Sequence, residues 1–344
     1  MAHSNSSLNQ FLQCEKMYDL NYNKHLTPPT PPSIHLSFGT MAHEVLYKAG
    51  ELRDTQGLNP PPDYKTIIPS EIAYPNEAAY FKITSWHKYF VPIIKKIAEI
   101  EQNCIEDLAS TNKSPTTIQI EREIKLSLTP DELSSYGLLS PSLPVPVQPL
   151  VGVIDLLLYN PHEAIILDYK FSTKRKDQDD FDMNSQLYIY ALFVHLHYDI
   201  PLHNIRIGYI DIPKQMFEWP IVLSTGMLSR SKAQNCSQDM YIAAVRALHD
   251  GPGEADKLLA PGGYYHDIVN ELALNQPAYL SIQYIDETIY ANVINDIIQT
   301  AQMITLKDIN NLPYLRKHDS YSCKNCDWKT LCKPYLTEVF DDGK

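Results

Sequence analysis

Two apolar β-type runs, Gly152-Val153-Ile154-Asp155 and Ile165-Ile166-Leu167-Asp168-Tyr169-Lys170, each carry a carboxylate into an otherwise greasy strand. An ionised acid in such a place is costly unless it is paired, hydrogen-bonded or bound to a metal. The polar break Asn160-Pro161-His162-Glu163 between the runs reads as a four-residue hairpin loop. If Tyr159 faces Ala164, the antiparallel register puts Asp155 directly across from Asp168. Side-chain alternation then projects Lys170 on the same face as Asp168 and turns Tyr169 away. Like charges opposed in a sheet repel, and a hard divalent ion with oxygen ligands, Mg²⁺ or Mn²⁺, relieves the repulsion. The alternative for the same residues is a solvated strand end with two surface acids.

The chain of 344 residues, 44% of them hydrophobic, is long enough for one large domain or two. Met1–Gln10 is polar and no run reaches the length of a membrane span, so no membrane partner and a cytoplasmic location are expected. A net charge of −12 argues against non-specific coating of nucleic acid, although Lys174-Arg175-Lys176 could form a local basic patch. Six cysteines without an export signal point to metal or redox use rather than a disulfide framework.

Ser4–Ser7 supply N-cap candidates for a first helix carrying Cys14, and a second helix is expected from about Phe38-Gly39-Thr40. A long helix is predicted over Asn76–Gln102, a strand over Ile118–Leu128 with Glu121 and Glu123, a helix over Asp182–Tyr198 and a strand over Ile205–Ile212. Phe217–Val222 is a candidate further strand, and Lys232–His249 and Glu287–Ile304 read as helices around a loop-rich stretch from Asp250 to Pro277. The order β-β-β-α-β with helices in front predicts an α/β or α+β core.

Gly39-Thr40-Met41-Ala42-His43, Gly152-x-x-Asp155, Asp168-x-Lys170 and Gln186-x-x-x-Tyr190 together resemble the ordered motifs of the RecB-like nucleases, within the PD-(D/E)XK superfamily. The resemblance implies a restriction-endonuclease-like core, a central mixed sheet flanked by helices, in a single nuclease domain over residues 1–344 whose core is roughly 1–50, 115–212 and 318–335. Segments 51–115 and 213–310 would be helical insertions. It also implies that His43, Asp155 and Asp168 ligate Mg²⁺ or Mn²⁺ with the Tyr169 carbonyl, that Lys170 positions the attacking water or stabilises the phosphate, and that Gln186 and Tyr190 orient Lys170 or the DNA backbone. The i,i+4 spacing of Gln186 and Tyr190 puts both on one helix face; the competing reading is an amphipathic helix with Tyr190 in the core. Glu121 is similar in place to an acid on the preceding strand of some members, with Glu123 competing for the assignment. Metal-assisted phosphodiester hydrolysis needs these groups: an activated water, a Lewis acid and a cation near the developing charge.

Cys323-x-x-Cys326-x-x-x-x-x-Cys332, with Cys14 on the first helix, resembles the iron–sulfur subgroup that includes AddB helicase–nuclease subunits and CRISPR-associated adaptation nucleases. Four thiolates can hold a 4Fe-4S cluster, and a structural Zn²⁺ site is the alternative. The solitary first ligand and long last gap favour iron–sulfur. Cys104 and Cys236 read as buried thiols.

The expected function is a metal-dependent DNA nuclease, an exonuclease on single strands or ends in recombination, repair or phage DNA metabolism. A helicase would be a separate partner, since no Walker A pattern is present. The alternatives are a non-catalytic DNA-binding or adaptor subunit of a helicase–nuclease complex, and a CRISPR spacer-acquisition nuclease, from whose compact form the extra length departs.

Overall fold

The computed structural model describes residues 2–29, 33–57, 62–110, 117–139, 147–172, 178–182, 184–231, 234–249, 252–317, 323 and 326–328. Lys174-Arg175-Lys176 and Cys332 lie outside the described residues.

The chain opens with a short strand β1 (His3–Ser4), helices α1 (Asn5–Gln13) and α2 (Glu15–Tyr18), and a π-helical turn at Asp19–Asn23. Then come α3 (Ile34–Gln56), α4 (Pro75–Tyr80) and α5 (Trp86–Ser110). The central part runs β2 (Gln119–Leu128), α6 (Pro130–Ser135), β3 (Leu150–Tyr159), β4 (Ala164–Ser172), α7 (Gln178–Asp182), α8 (Ser185–Tyr198) and β5 (Ile205–Pro213). The remainder supplies α9 (Gln238–Leu248), α10 (Pro252–Leu259), α11 (His266–Glu271), β6 (Tyr279–Tyr284) and α12 (Glu287–Ile309).

Local chemistry accounts for several boundaries. Ser4 and Ser7 form a reciprocal capping box that starts α1. Ser33 caps α3, which therefore begins several residues before the Phe38 expected from sequence. The helix expected over Asn76–Gln102 is two helices, because the chain turns at Phe81–Ser85 with Lys82 in the left-handed region at φ 55°.

The mixed sheet has the order β1-β3-β4-β5-β6, with β2 along the other edge of β3. Neighbours β2/β3, β3/β4 and β5/β6 are antiparallel, whereas β1/β3 and β4/β5 are parallel. Helix α8 connects the parallel pair. It is apolar all round, and Leu187 through Val194 are all buried, as a helix with neighbours on every side requires. With α12 and Phe11 of α1 it builds the core on one sheet face; α3 and α5 build the other. Residues of α9–α11 form a satellite core around Tyr241 and Tyr265.

Two expectations change here. Phe217–Val222 does not extend the sheet: Trp219 and Ile221 are over half exposed, and the segment makes a lone bridge, Val222 to Leu228. Within segment 213–310, expected as helical insertion, β6 pairs with β5 through six residues and α12 packs against α8. The strand is short, only partly buried, and its alternation spans just Leu280-Ser281-Ile282-Gln283, too brief a signal against a loop-rich neighbourhood.

Candidate active site

The β3–β4 ladder follows the register expected from sequence from Tyr159↔Ala164 to Leu156↔Leu167 and then stops. Asp155 and Asp168 are the next residues, but they are not a ladder pair. Instead the Tyr169 backbone N–H donates to Asp155 Oδ2 at 2.8 Å, so a carboxylate oxygen takes a donor that would otherwise serve the ladder. Lower on β3, Leu150 and Val151 pair with β1. Because β2 follows β3 over its whole length, β1 and β4 must share the remaining edge, leaving a fork between them at residues 152–155.

The β2 side is irregular at the same level. Arg122 pairs with Leu156 and Ile124 with Ile154, and between them Glu123 takes φ 46°. The left-handed region costs a residue with a Cβ about 1–2 kcal/mol. Arg122 and Leu156 face α5, whereas Ile124 and Ile154 face α8. Both strands therefore change face at Glu123 and Asp155, the kind of local break that re-aims side chains next to active sites.

Helices deliver the rest. His43 on α3 brings Nδ1 to 3.5 Å from Asp155 Oδ1. Burial disfavours a charged imidazole, but the contact with Asp155 and the charges of Asp155 and Asp168 outweigh it and raise His43 above the usual histidine range, with Lys170 opposing. Asp168 is 2% exposed. Its burial pushes the carboxyl up to about 6; Asp155 adds to the rise, and Lys170 and His43 oppose it. Lys170 Nζ stands 2.6 Å from Asp168 Oδ2, yet that oxygen accepts no properly directed hydrogen bond.

Gln186 binds three of the expected site residues at once. Its Nε2 donates to Asp168 Oδ1 at 3.1 Å and to the Tyr190 hydroxyl at 2.6 Å, and its Oε1 accepts from Lys170 Nζ at 3.1 Å. Asn184 caps α8 by accepting from the Gln186 N–H, which sets the side chain at the mouth of the fork. Tyr190 is buried against β3, where a Cβ on Gly152 would stand 2.8 Å from both its ring and that of Phe193. The glycine three residues before Asp155 is thus required by the approach of α8. A cavity of about 240 Å³ lined in part by Ser4, Asn5, Lys125, Gln186 and Tyr190 opens beside the fork. A larger one, about 560 Å³, lies at Tyr89, Pro213 and Trp219 and includes none of the expected site residues.

Glu121 is not part of this arrangement. Its carboxylate accepts the hydroxyls of Tyr159 and Tyr198, opposite Leu157 and towards the closed end of the hairpin. Glu123 is the acid at the fork: partial burial of its carboxyl and the Asp155 charge raise it, and His43 opposes. The resemblance left either acid possible, because a break in strand parity leaves no mark in the sequence. Sequence reasoning also missed Arg53, Glu101 and Arg122, whose charges meet behind Tyr169; a Glu on the apolar face of α5 was the available signal.

The donor types suit a hard divalent cation: His43 meets the Asp155 carboxylate, and the buried Asp168 Oδ2 lacks a directed donor. As the side chains stand, with Lys170 against Asp168, no group of three His, Cys, Asp or Glu among the described residues is set to hold a metal.

Cys14 joins the end of α1 to α2, and the described part of the tail returns to this place. Cys326 Sγ lies 3.8 Å from Met17 Sδ, and Trp328, 2% exposed, donates its indole N–H to Asn21 Oδ1 at 2.9 Å. Cys323 Sγ contacts the Lys317 carbonyl oxygen at 3.2 Å. Cys104 and Cys236 are elsewhere and buried, with thiols pushed up to about 11 by burial, against ready ionisation. Among the described residues no helix is long and apolar enough to cross a membrane.

A search of curated proteins finds no match. Among solved structures, the chain is similar to one titled "Putative exonuclease" from Eubacterium rectale, at 10% identity and TM-score 0.43 over 96% of this chain and 87% of that one. It is also similar to one titled SSO0001, at 12% identity and TM-score 0.24 over 75% and 78% of the two chains. A sequence model of the PD-(D/E)XK nuclease superfamily matches residues 2–333. A central mixed sheet flanked by helices and a match over nearly its whole length agree: the chain belongs to the PD-(D/E)XK nuclease superfamily.

Proposed function

We propose that this protein is a divalent-metal-dependent deoxyribonuclease, acting as an exonuclease on single-stranded or end-containing DNA in recombination, repair or phage DNA metabolism. The observation that carries the reading is the convergence of His43, Asp155, Asp168, Lys170 and Gln186, from α3, both hairpin strands and α8, on one fork. His43, Asp155, Asp168 and the Tyr169 carbonyl would hold Mg²⁺ or Mn²⁺, which supplies a Lewis acid for the phosphoryl oxygen and an acidified water. Lys170 brings a cation to the side where phosphate charge develops, and Gln186 holds that cation in place. Tyr190 fixes Gln186, and Asp168 is kept short of water so that its charge acts at low dielectric.

Cys14, Cys323, Cys326 and Cys332 would hold a 4Fe-4S cluster tying the tail to the first helices; the return of Cys326 and Trp328 to Met17 and Asn21 supports this. A helicase or recombination protein is the partner class that would present such ends.

Purified protein with Mg²⁺ or Mn²⁺ should degrade linear DNA, and Asp168→Ala or Lys170→Ala should abolish the activity. Tight DNA binding without cleavage in any divalent metal would instead identify a non-catalytic subunit. Anaerobically purified protein should be brown with a broad blue-region band; a colourless sample with stoichiometric zinc would replace the cluster by a zinc site.

A further inference from the structure

The face of the sheet opposite Asp168 and Lys170 carries a buried charge network. Glu101 of α5 accepts from Arg53 of α3 through Oε2 at 2.8 Å, and from Arg122 of β2 through Oε1 at 3.1 Å and Oε2 at 2.8 Å. The three side chains are each 6% exposed. Arg122 also grips Asp54 of α3 with a two-pronged bond, Nε to Oδ2 at 2.7 Å and Nη2 to Oδ1 at 3.0 Å. Helix α3 lies so close over this guanidinium that a Cβ on Gly50 would be 2.5 Å from Arg122 Nε. The fourth donor to Glu101 is the Tyr169 hydroxyl, at 3.2 Å on Oε1.

Two arms of the network start beside a residue of the fork, and the third shares a helix with one. Arg122 precedes Glu123, Tyr169 sits between Asp168 and Lys170, and Arg53 shares α3 with His43. Tyr169 is the link through the sheet: its ring is pinned on one face by Glu101, while its backbone N–H holds Asp155 Oδ2. Buried ion networks add little net stability, because desolvation offsets the attraction, and apolar residues of similar volume often serve as well or better. What the charges add over apolar packing is direction. Four donors on one carboxylate fix the rotation of the 168–170 backbone, and a carboxylate so satisfied has no slack to let Tyr169 swing.

We propose that Arg53, Glu101 and Arg122, acting through the Tyr169 phenol, are positioning residues that set the Asp155–Asp168–Lys170 fork from the far side of the sheet. The activity arm of this proposal rests on the nuclease reading; the structural arm does not.

Two variants test it: Tyr169→Phe, which removes one hydroxyl and keeps ring and carbonyl, and the triple Arg53→Met/Glu101→Leu/Arg122→Met, which replaces charge with apolar bulk. The triple leaves the buried Tyr169 hydroxyl and Asp54 without these partners, so it should melt near or modestly below the wild-type temperature. Tyr169→Phe should lose about 10-fold in kcat on linear DNA with KM within about twofold, and weaken Mn²⁺ binding by about 10-fold; the triple should do the same or more. In Tyr169→Phe the Tyr169 amide should also exchange with solvent about 10-fold faster while the amides of α8 keep their protection. Unchanged kcat, Mn²⁺ affinity and Tyr169 exchange in a folded Tyr169→Phe protein would overturn the proposal. So would losses that only track a fall in melting temperature. If the triple does not fold, Tyr169→Phe alone decides. If wild-type protein neither cleaves DNA nor binds Mn²⁺, the nuclease reading fails, and the exchange rate still judges the network.

Discussion

The Tyr169 backbone N–H meets Asp155 Oδ2 at 2.8 Å one step past the last paired residues of the β3–β4 hairpin. This bond splays the two strands and turns an ordinary ladder end into a fork. The two acids therefore follow the last ladder pair without pairing themselves, and the Asp155 charge still acts on Asp168.

Gly152→Ala puts a methyl group 2.8 Å from the Tyr190 and Phe193 rings. Overpacking of this kind costs roughly 1–3 kcal/mol, and moving Tyr190 pulls on Gln186. Denaturant titration should show that loss together with reduced cleavage. A variant as stable and active as wild type would mean that α8 does not need this close approach.

Asp168 predicts a pH signature in metal-free protein. Its folded pKa, about 6, lies above the ordinary aspartate value of 3.8. The folded state thus binds more protons between those values, so stability falls as pH rises through the window and remains lowered above it. Asp168→Asn keeps an acceptor for Gln186 and removes the charge. It should stabilise the apo protein at pH 7 by roughly 1–3 kcal/mol, with the gain disappearing below about pH 4. Mg²⁺ should raise the melting temperature of wild type and not of Asp168→Asn. Denaturation midpoints across pH, with and without EDTA, check both statements; a gain that is flat with pH would refute the assignment.

Gln186→Ala removes the common partner of Lys170, Asp168 and Tyr190. Cleavage should fall by roughly 10–100-fold, the usual effect of losing a group that orients metal ligands, with little change in DNA affinity. Gel-shift and single-turnover assays separate the two quantities, and weakened binding at an unchanged cleavage rate would assign Gln186 to the DNA backbone instead.

The two acids of β2 should behave differently. Glu121→Gln keeps an acceptor for one of Tyr159 and Tyr198 and offers the other hydroxyl an N–H donor, so cleavage should remain within about twofold and stability within about 1 kcal/mol. Glu123→Gln changes charge beside Asp155 and should alter the metal concentration needed for half-maximal activity. The reverse pattern would return Glu121 to the site.

The hairpin and its register as far as Leu156↔Leu167 were legible because a short proline-bearing polar loop between two continuous apolar runs admits few alternatives. His43, Asp155, Asp168, Lys170, Gln186 and Tyr190 were legible through their order, and the structure brings them together. Between Glu121 and Glu123 the sequence left the choice open, and Glu123 lies beside Asp155 and His43 because it adopts a left-handed backbone that no side-chain pattern announces.

The sequence by itself determined the local chemistry of this protein: which strands carry acid, which helix carries the glutamine and tyrosine, and which cysteines recur at ligand spacing. These follow from short-range periodicity, turn chemistry and motif order. Only the tertiary structure decided that the hairpin opens at Asp155, that Gly152 admits Tyr190, that β6 and α12 complete the sheet and its cover, and that Glu101 anchors Tyr169 from behind. Each of these depends on surfaces meeting across long stretches of chain, where close packing and buried charge choose among arrangements that are locally equivalent.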